Sequence, residues 1–180
     1  MIRYSEEQPF GSLAQDLVNS YDVTHSPPEH LRSPADLQSF LERYAIAYGR
    51  AATSKDLAAV RAFRQEVRAV FEAPSERAAV RAINALLDTA EPALRLVGGP
   101  APHLQWNTRP VDNLSVMLRS AAAINLAFAA ARHGFERLRV CAALPCRDVF
   151  VDVSKGGERR FCGVKCATRT RVAAFRARQS

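Results

Sequence analysis

Apolar residues recur every three to four positions through most of the first 131 residues, the spacing of helices with one buried face. "SLAQDLVNSYD" carries Leu13, Leu17 and Val18 at that spacing, with Ser12 as a cap. "SPADLQSFLERYAIAYG" opens on Ser33 and Pro34, a cap followed by the residue best tolerated at the first helical position, and stops at Gly49. Its stripe is Leu37, Phe40, Leu41, Tyr44 and Tyr48. "TSKDLAAVRAFRQEVRAVFEA" repeats the pattern with Leu57, Val60, Phe63, Val67, Val70 and Phe71, and Thr53 and Asp56 mark its start. A further helix, "SERAAVRAINALLDTAE", fits between Pro74 and Pro92. "VDNLSVMLRSAAAINLAFAAARHG" is apolar on most sides and ends at Gly134, so it is expected to be the most buried helix.

The period changes twice. "ALRLV" and "HLQWNT" alternate apolar and polar residues and are flanked by Gly98, Gly99, Pro100, Pro102 and Pro110, which predicts a strand hairpin. Beyond Gly134, "DVFVDV" alternates again, "SKGG" offers a turn and "ERRF" a returning strand. "ATRTRVAAFRARQ" has no Pro or Gly and reads as a closing helix. The fold class is therefore α+β. A mostly helical front domain with a small sheet or hairpin, residues 1–136, precedes a small module, residues 137–180, with a separate core. "VTHSPPEHLRSP" is expected to be a flexible surface loop.

Charge sharpens the division. The net charge is +7, yet Arg132 to Ser180 holds twelve Lys/Arg against four Asp/Glu, so the whole excess lies on the second module. That asymmetry points to a polyanion, nucleic acid before membrane. No run of 18 apolar residues suggests a membrane span, and the opening residues have no basic-then-apolar signal pattern, so a cytoplasmic, reducing setting is expected.

All four cysteines lie in "CAALPCRDVFVDVSKGGERRFCGVKC", as Cys141/Cys146 and Cys162/Cys166 with fifteen residues between the pairs. Two disulfides, an iron–sulfur cluster or a thiol relay are alternatives. A reducing setting and the lack of C-x-x-C favour four thiolates around one structural Zn²⁺. Knuckle, hairpin and a last ligand in the first turn of a helix is the order of a treble-clef finger. Its core is too small to hold alone, and zinc binding of about 10–16 kcal/mol would supply the stability. On the closing helix, Val164, Thr168, Val172 and Phe175 are expected to face inward against Phe150 and Phe161. Thr170, Ala173, Ala174 and Ala177 would form the outward crest. Lys165, Arg169 and Arg176 line one flank, Arg171 and Arg178 the other, and Arg159 and Arg160 add charge from the hairpin. These seven cations are the candidate nucleic-acid contacts, and Arg169, held three residues after a metal ligand, is the candidate base reader. RNA stays open as a partner, although Phe161 and Phe175, the aromatics available for stacking, are expected to be buried.

Here the chain resembles a known family. Cys141 and Cys146, then Phe150, Asp152 and Ser154, then Arg159, Arg160, Phe161 and Cys162, look like the CGNR-type zinc finger; the closing motif is Cys166-Ala167-Thr168-Arg169 in place of C-G-N-R. "LAQDLVNSYD" resembles the opening "L-x-L-D-L-V-N-T" of the ABATE domain, with Asp16, Leu17, Val18 and Asn19 matching and Ser20 in place of threonine. The resemblance covers essentially the whole chain. It implies a bacterial, stress-responsive transcription regulator that senses a small ligand with its front half and contacts DNA with its finger.

No G-x-x-x-x-G-K-[ST], G-x-G-x-x-G, G-x-S-x-G or H-E-x-x-H motif is present, so enzymatic activity is not expected. His25 and His30 sit in a Pro-rich loop and are expected to be exposed. Asp16 and Asn19 are polar residues on an otherwise apolar helix. They form either a local hydrogen-bonded feature or, beside Trp106 and Arg109, a small-ligand pocket. A zinc-stabilised RNA- or protein-binding module is the alternative function. A finger this small buries little DNA surface, so tight binding would call for a homodimer.

Overall fold

Local sequence sets the helix starts. In the computed structural model, Ser33 accepts a hydrogen bond from the Asp36 backbone while Asp36 returns one to the Ser33 backbone, and Thr53 and Asp56 repeat that reciprocal box. The structure describes residues 2–3, 12–44, 46, 48–90, 93–97, 103–107 and 113–179, with 2–3, 90, 93–97 and 103–107 as backbone alone. In chain order the elements are β1 (Ile2–Arg3), α1 (Leu13–Asn19), α2 (Pro34–Arg43), α3 (Ser54–Phe71), α4 (Glu76–Ala90), β2 (Ala93–Val97), β3 (His103–Asn107), α5 (Leu114–His133), β4 (Leu138–Val140), β5 (Val149–Val151) and α6 (Val164–Ala177). The class is α+β, as the alternation of periods implied.

The centre is α5, which packs against α4, α3 and α1. Leu114, Leu118, Ala122, Ala123 and Leu126 are each at most 1% exposed. Its side chains are small, so neighbouring helices approach closely on several faces. It is long and apolar enough to cross a membrane, and its place at the heart of the helical core accounts for that composition. It ends at Gly134, whose φ of +89° is open to glycine at little cost.

The predicted hairpin forms. β2 and β3 pair antiparallel, Ala93 opposite Asn107 and Val97 opposite His103. Two-residue β1 adds an unforeseen third strand beside β3, giving the order β1-β3-β2.

Four expectations need correction. First, α2 stops at Arg43 rather than running to Gly49; the Tyr44 and Ile46 amides turn back to the Leu41 carbonyl, and Ile46 enters the core beyond the helix. Second, the loop 23–34 is tied down. Buried Arg64 donates to both Glu29 carboxylate oxygens at 2.9 and 2.7 Å and to Ser20 Oγ at 2.8 Å, Tyr21 bridges Glu29, and Arg61 holds the Leu31 carbonyl. His25 and His30 are exposed, as expected. Third, "ERRF" is not a strand. The ladder runs across the cysteine knuckle, with Leu138 opposite Val151 and Val140 opposite Val149. Fourth, the two modules do not have separate cores: Leu138 and Val149 belong to the front core, and only Cys141, Ala143, Cys146 and Cys166, with Phe161 and Cys162 against them, form the small second cluster.

Candidate metal centre and basic helix

The two halves meet along β5. Its N–H and C=O groups facing away from β4 would be bare edge groups, and α1 covers them. Asn19 donates through Nδ2 to the Val149 carbonyl at 2.9 Å and accepts from the Val149 N–H at 2.8 Å. One turn earlier, Gln15 Oε1 accepts from the Val151 N–H at 3.1 Å. Two amides four apart on one helix face thus stand in for a third strand. Arg68 at the end of α3 adds a bond to the Arg147 carbonyl at 2.8 Å, and Arg147 pairs with Glu72 at 3.1 Å.

The loop after β5 is wound around Asp152, which is fully buried. Its carboxylate accepts from the Ser154 N–H at 3.0 Å, the Ser154 hydroxyl at 2.5 Å and the Arg159 N–H at 2.9 Å. Burial alone would raise its pKa. These bonds and the nearby Arg137 outweigh that and hold the carboxyl below its ordinary value. From β4 and the turn before it, Arg137 reaches the Ser154 carbonyl at 2.7 Å, and Arg139 the Gly157 and Arg159 carbonyls at 2.8 and 3.0 Å. Gly157 has φ +64°, and a Cβ there would overlap the Arg137 guanidinium. Sequence reasoning missed Gln15, Arg137 and Arg139. Their signal was faint: a polar residue one turn before Asn19, one arginine in a three-residue strand and another just before it.

The four sulfurs converge. All lie within 4.8 Å of one another, with Cys146–Cys162 at 3.7 Å and Cys162–Cys166 at 3.6 Å. Four thiolates bound to one tetrahedral zinc at about 2.3 Å stand about 3.8 Å apart. The cysteines are free rather than disulfide-bonded. Backbone N–H groups face the sulfurs, from Cys162 to Cys141 at 3.4 Å and from Asp148 to Cys146 at 3.5 Å; the Arg169 guanidinium faces Cys166 at 3.5 Å. Such donors suit thiolate ligands. Without metal the pKa values of the thiols diverge. Burial pushes Cys146 up to about 12 and raises Cys162, where crowding by Cys166 adds to it. For Cys141 burial is outweighed by the Cys162 and Ala143 N–H groups, which lower it. The donor set fits one structural zinc ion.

Cys166 also fixes α6. It is the buried residue of that helix, and turning it toward the metal turns Val164, Val172 and Phe175 outward, 82%, 43% and 55% exposed. The expected inward face is therefore the outward one, and Phe175 is not buried. Thr170, on the expected crest, is half-buried and bonds the Cys166 carbonyl.

The seven predicted cations fall into two sets. Arg159 donates to the Phe161 carbonyl at 2.9 Å and to the Cys162 carbonyl, and its guanidinium lies 4.8 Å over the Phe150 ring. Arg169 turns back onto Cys166 and toward the Ala143 carbonyl. Lys165, Arg171, Arg176 and Arg178 extend along the exposed helix, and Arg160 lies over Phe161. A groove of about 480 Å³ beside the start of α6 is lined by Arg159, Arg160, Phe161, Val164, Ala167 and Arg171, among others.

Of the predicted ligand residues, Asp16 and Asn19 line one cavity of about 400 Å³ between α1 and α2, with His30, Ser39, Phe40 and Arg43. Asp16 accepts from Ser12 at 2.9 Å and from the Tyr44 hydroxyl; burial first, then that bond, pushes the phenol up to about 12. For Trp106 only the backbone is described, opposite Leu94 and Ile2, and Arg109 lies outside the described residues.

A zinc knuckle, a short ladder and a ligand-bearing helix docked on a helical domain define a two-part zinc-finger protein. The chain belongs to the ABATE family, described as "Putative stress-induced transcription regulator", whose model matches residues 11–134, and residues 137–179 match the CGNR zinc finger. No curated protein matches the chain.

Proposed function

We propose that this chain is a cytoplasmic DNA-binding transcription regulator without enzymatic activity. The finger presents α6 to duplex DNA, and the front half senses a small ligand in the α1–α2 cavity. One observation carries the DNA reading: beyond its first turn α6 stands clear of the protein, exposed from Arg171 onward, with four Lys/Arg and no acidic residue between Val164 and Ala177. Arg159 and Arg169 turn onto the finger's own carbonyls and the Cys166 sulfur. Arg160, Lys165, Arg171, Arg176 and Arg178 reach phosphates. The ligand reading rests on α1, which borders the cavity with Asp16 and grips β5 with Asn19, so a molecule that shifts α1 also shifts the knuckle.

Anisotropy titrations of the zinc-loaded chain with duplex DNA test this. Four to five phosphate contacts give a slope of log K against log salt of roughly −3.5 to −4.5. A flat response with no measurable binding overturns the reading. A second reading, single-stranded nucleic acid, draws on the exposed Phe175 as a stacking platform. Competition between duplex and single strands at fixed salt separates the two, and sedimentation with and without DNA reports whether two copies bind.

A further inference from the structure

We propose that the outward face of α6 reads the 5-methyl groups of thymine in the major groove; this rests on the DNA-binding reading above. The argument begins with the metal. Cys166 must point at its three partner sulfurs, which leaves no rotational freedom to α6 and points the opposite side of the helix away from the protein. That side carries Val164, Thr168, Val172 and Phe175, all exposed. Bare apolar side chains on a surface call for an occupant.

The charges around them say which. Lys165 and Arg176 lie along one border of the stripe, Arg171 and Arg178 along the other, and α6 has no acid. A second copy of the helix would bring like charges together. Duplex DNA offers phosphates to both borders while the groove floor faces the stripe. From Val164 to Phe175 the stripe runs about 16 Å along the helix axis, the length of about five base-pair steps.

Chemistry then selects the base. Between Val164 and Ala177 there is no Asn, Gln, Asp or Glu, so the bidentate readers of adenine and the carboxylate acceptors for cytosine are missing from this helix, and the Thr168 hydroxyl is the one hydrogen-bonding group on the stripe. Arg169, the natural guanine reader by position, is turned onto the Cys166 sulfur. Apart from the Thr168 hydroxyl, the face presents methyl and ring carbon, whose counterpart in the groove is the thymine methyl. The selectivity is thus for T-containing steps read by apolar contact.

The test uses the full zinc-loaded chain. A duplex recovered by selection from random DNA is compared with the same duplex in which each thymine within the protected segment is replaced by uracil. The exchange removes only the methyl and keeps every hydrogen-bonding group and phosphate. Each buried methyl is worth about three- to fourfold in affinity, so losing two weakens binding roughly tenfold, with the salt slope unchanged. Val172→Ala weakens binding to the thymine duplex and shrinks the thymine–uracil difference. Lys165→Ala lowers the salt slope by about one and leaves that difference intact. Val172 is a surface residue, and zinc content and circular dichroism confirm that the variant folds. Equal affinity for the two duplexes, with the salt slope still steep, overturns the methyl reading and leaves DNA binding standing. Absence of salt-dependent duplex binding overturns the DNA reading itself. A change of oligomeric state on Val172→Ala, seen by sedimentation, overturns the proposal in favour of a contact between copies.

Discussion

Asn19→Ala tests whether the two halves are joined in solution as the structure joins them. The substitution removes two hydrogen bonds, to the N–H and the C=O of Val149, a residue with no exposed surface. A buried backbone group left without a partner costs about 1–3 kcal/mol, so two cost about 2–6 if no water replaces the amide. Asn19 borders the α1–α2 cavity, through which water can reach the site, and that places the cost toward the lower end. Alanine's better helix propensity returns up to about 0.5 kcal/mol. The net loss is about 1.5–3 kcal/mol. For a chain of this length it corresponds to a fall in Tm of about 3–12 °C. Urea unfolding of the zinc-loaded protein, followed by far-ultraviolet circular dichroism, measures it with an unchanged m value. Gln15→Ala, which removes a single bond, costs about half as much. Hydrogen exchange supplies the local readout: the Val149 and Val151 amides lose protection first. A loss below about 0.5 kcal/mol, with those amides exchanging as in the parent, refutes the docking.

Three further outcomes follow from the same structure. Cys166→Ser abolishes stoichiometric zinc and, because Leu138 and Val149 lie in the front core, also lowers the Tm of the helical half; an unaltered front-half transition counts against the shared core. Zinc affinity rises with pH, because the raised Cys146 and Cys162 thiols must each give up a proton to bind, and calorimetry in buffers of differing ionisation heat counts at least two protons released at neutral pH. The metal-free chain has the opposite sense. Raised values mean that the protonated thiols favour the fold, so their contribution is fully present below the ordinary value of 9.0 and is lost as pH climbs toward about 12, which alkaline unfolding of apo-protein checks.

The features legible in sequence were those decided by near neighbours. Ser33 with Asp36 and Thr53 with Asp56 announce helix starts within four residues, and the cysteine spacing announces a tetrahedral sulfur site within twenty-six. β4 escaped notice because three residues carry no readable period. Docking escaped because Asn19 and Val149 are 130 positions apart, and nothing local to either says that an amide will meet a strand edge. The facing of α6 was legible and misread. Apolar residues were given the inside by default, whereas a metal–thiolate bond outweighs the burial of two valines and a phenylalanine, and Cys166 lies on the other side of the wheel.

The bonds between α1 and β5 also set an order of events in synthesis. α1 is made before its partner: the strand its Asn19 and Gln15 grip follows 130 to 136 residues later. At about 5–20 residues per second that interval is roughly 7–27 s. During it, the front-core places of Leu138 and Val149 stand open and the amides of α1 face water. The helical half therefore becomes complete only as β5 arrives, and the metal site closes later still, when Cys166 joins the three thiols that precede it. The helical core and the metal site are thus completed in sequence, the first waiting on β5 and the second on Cys166.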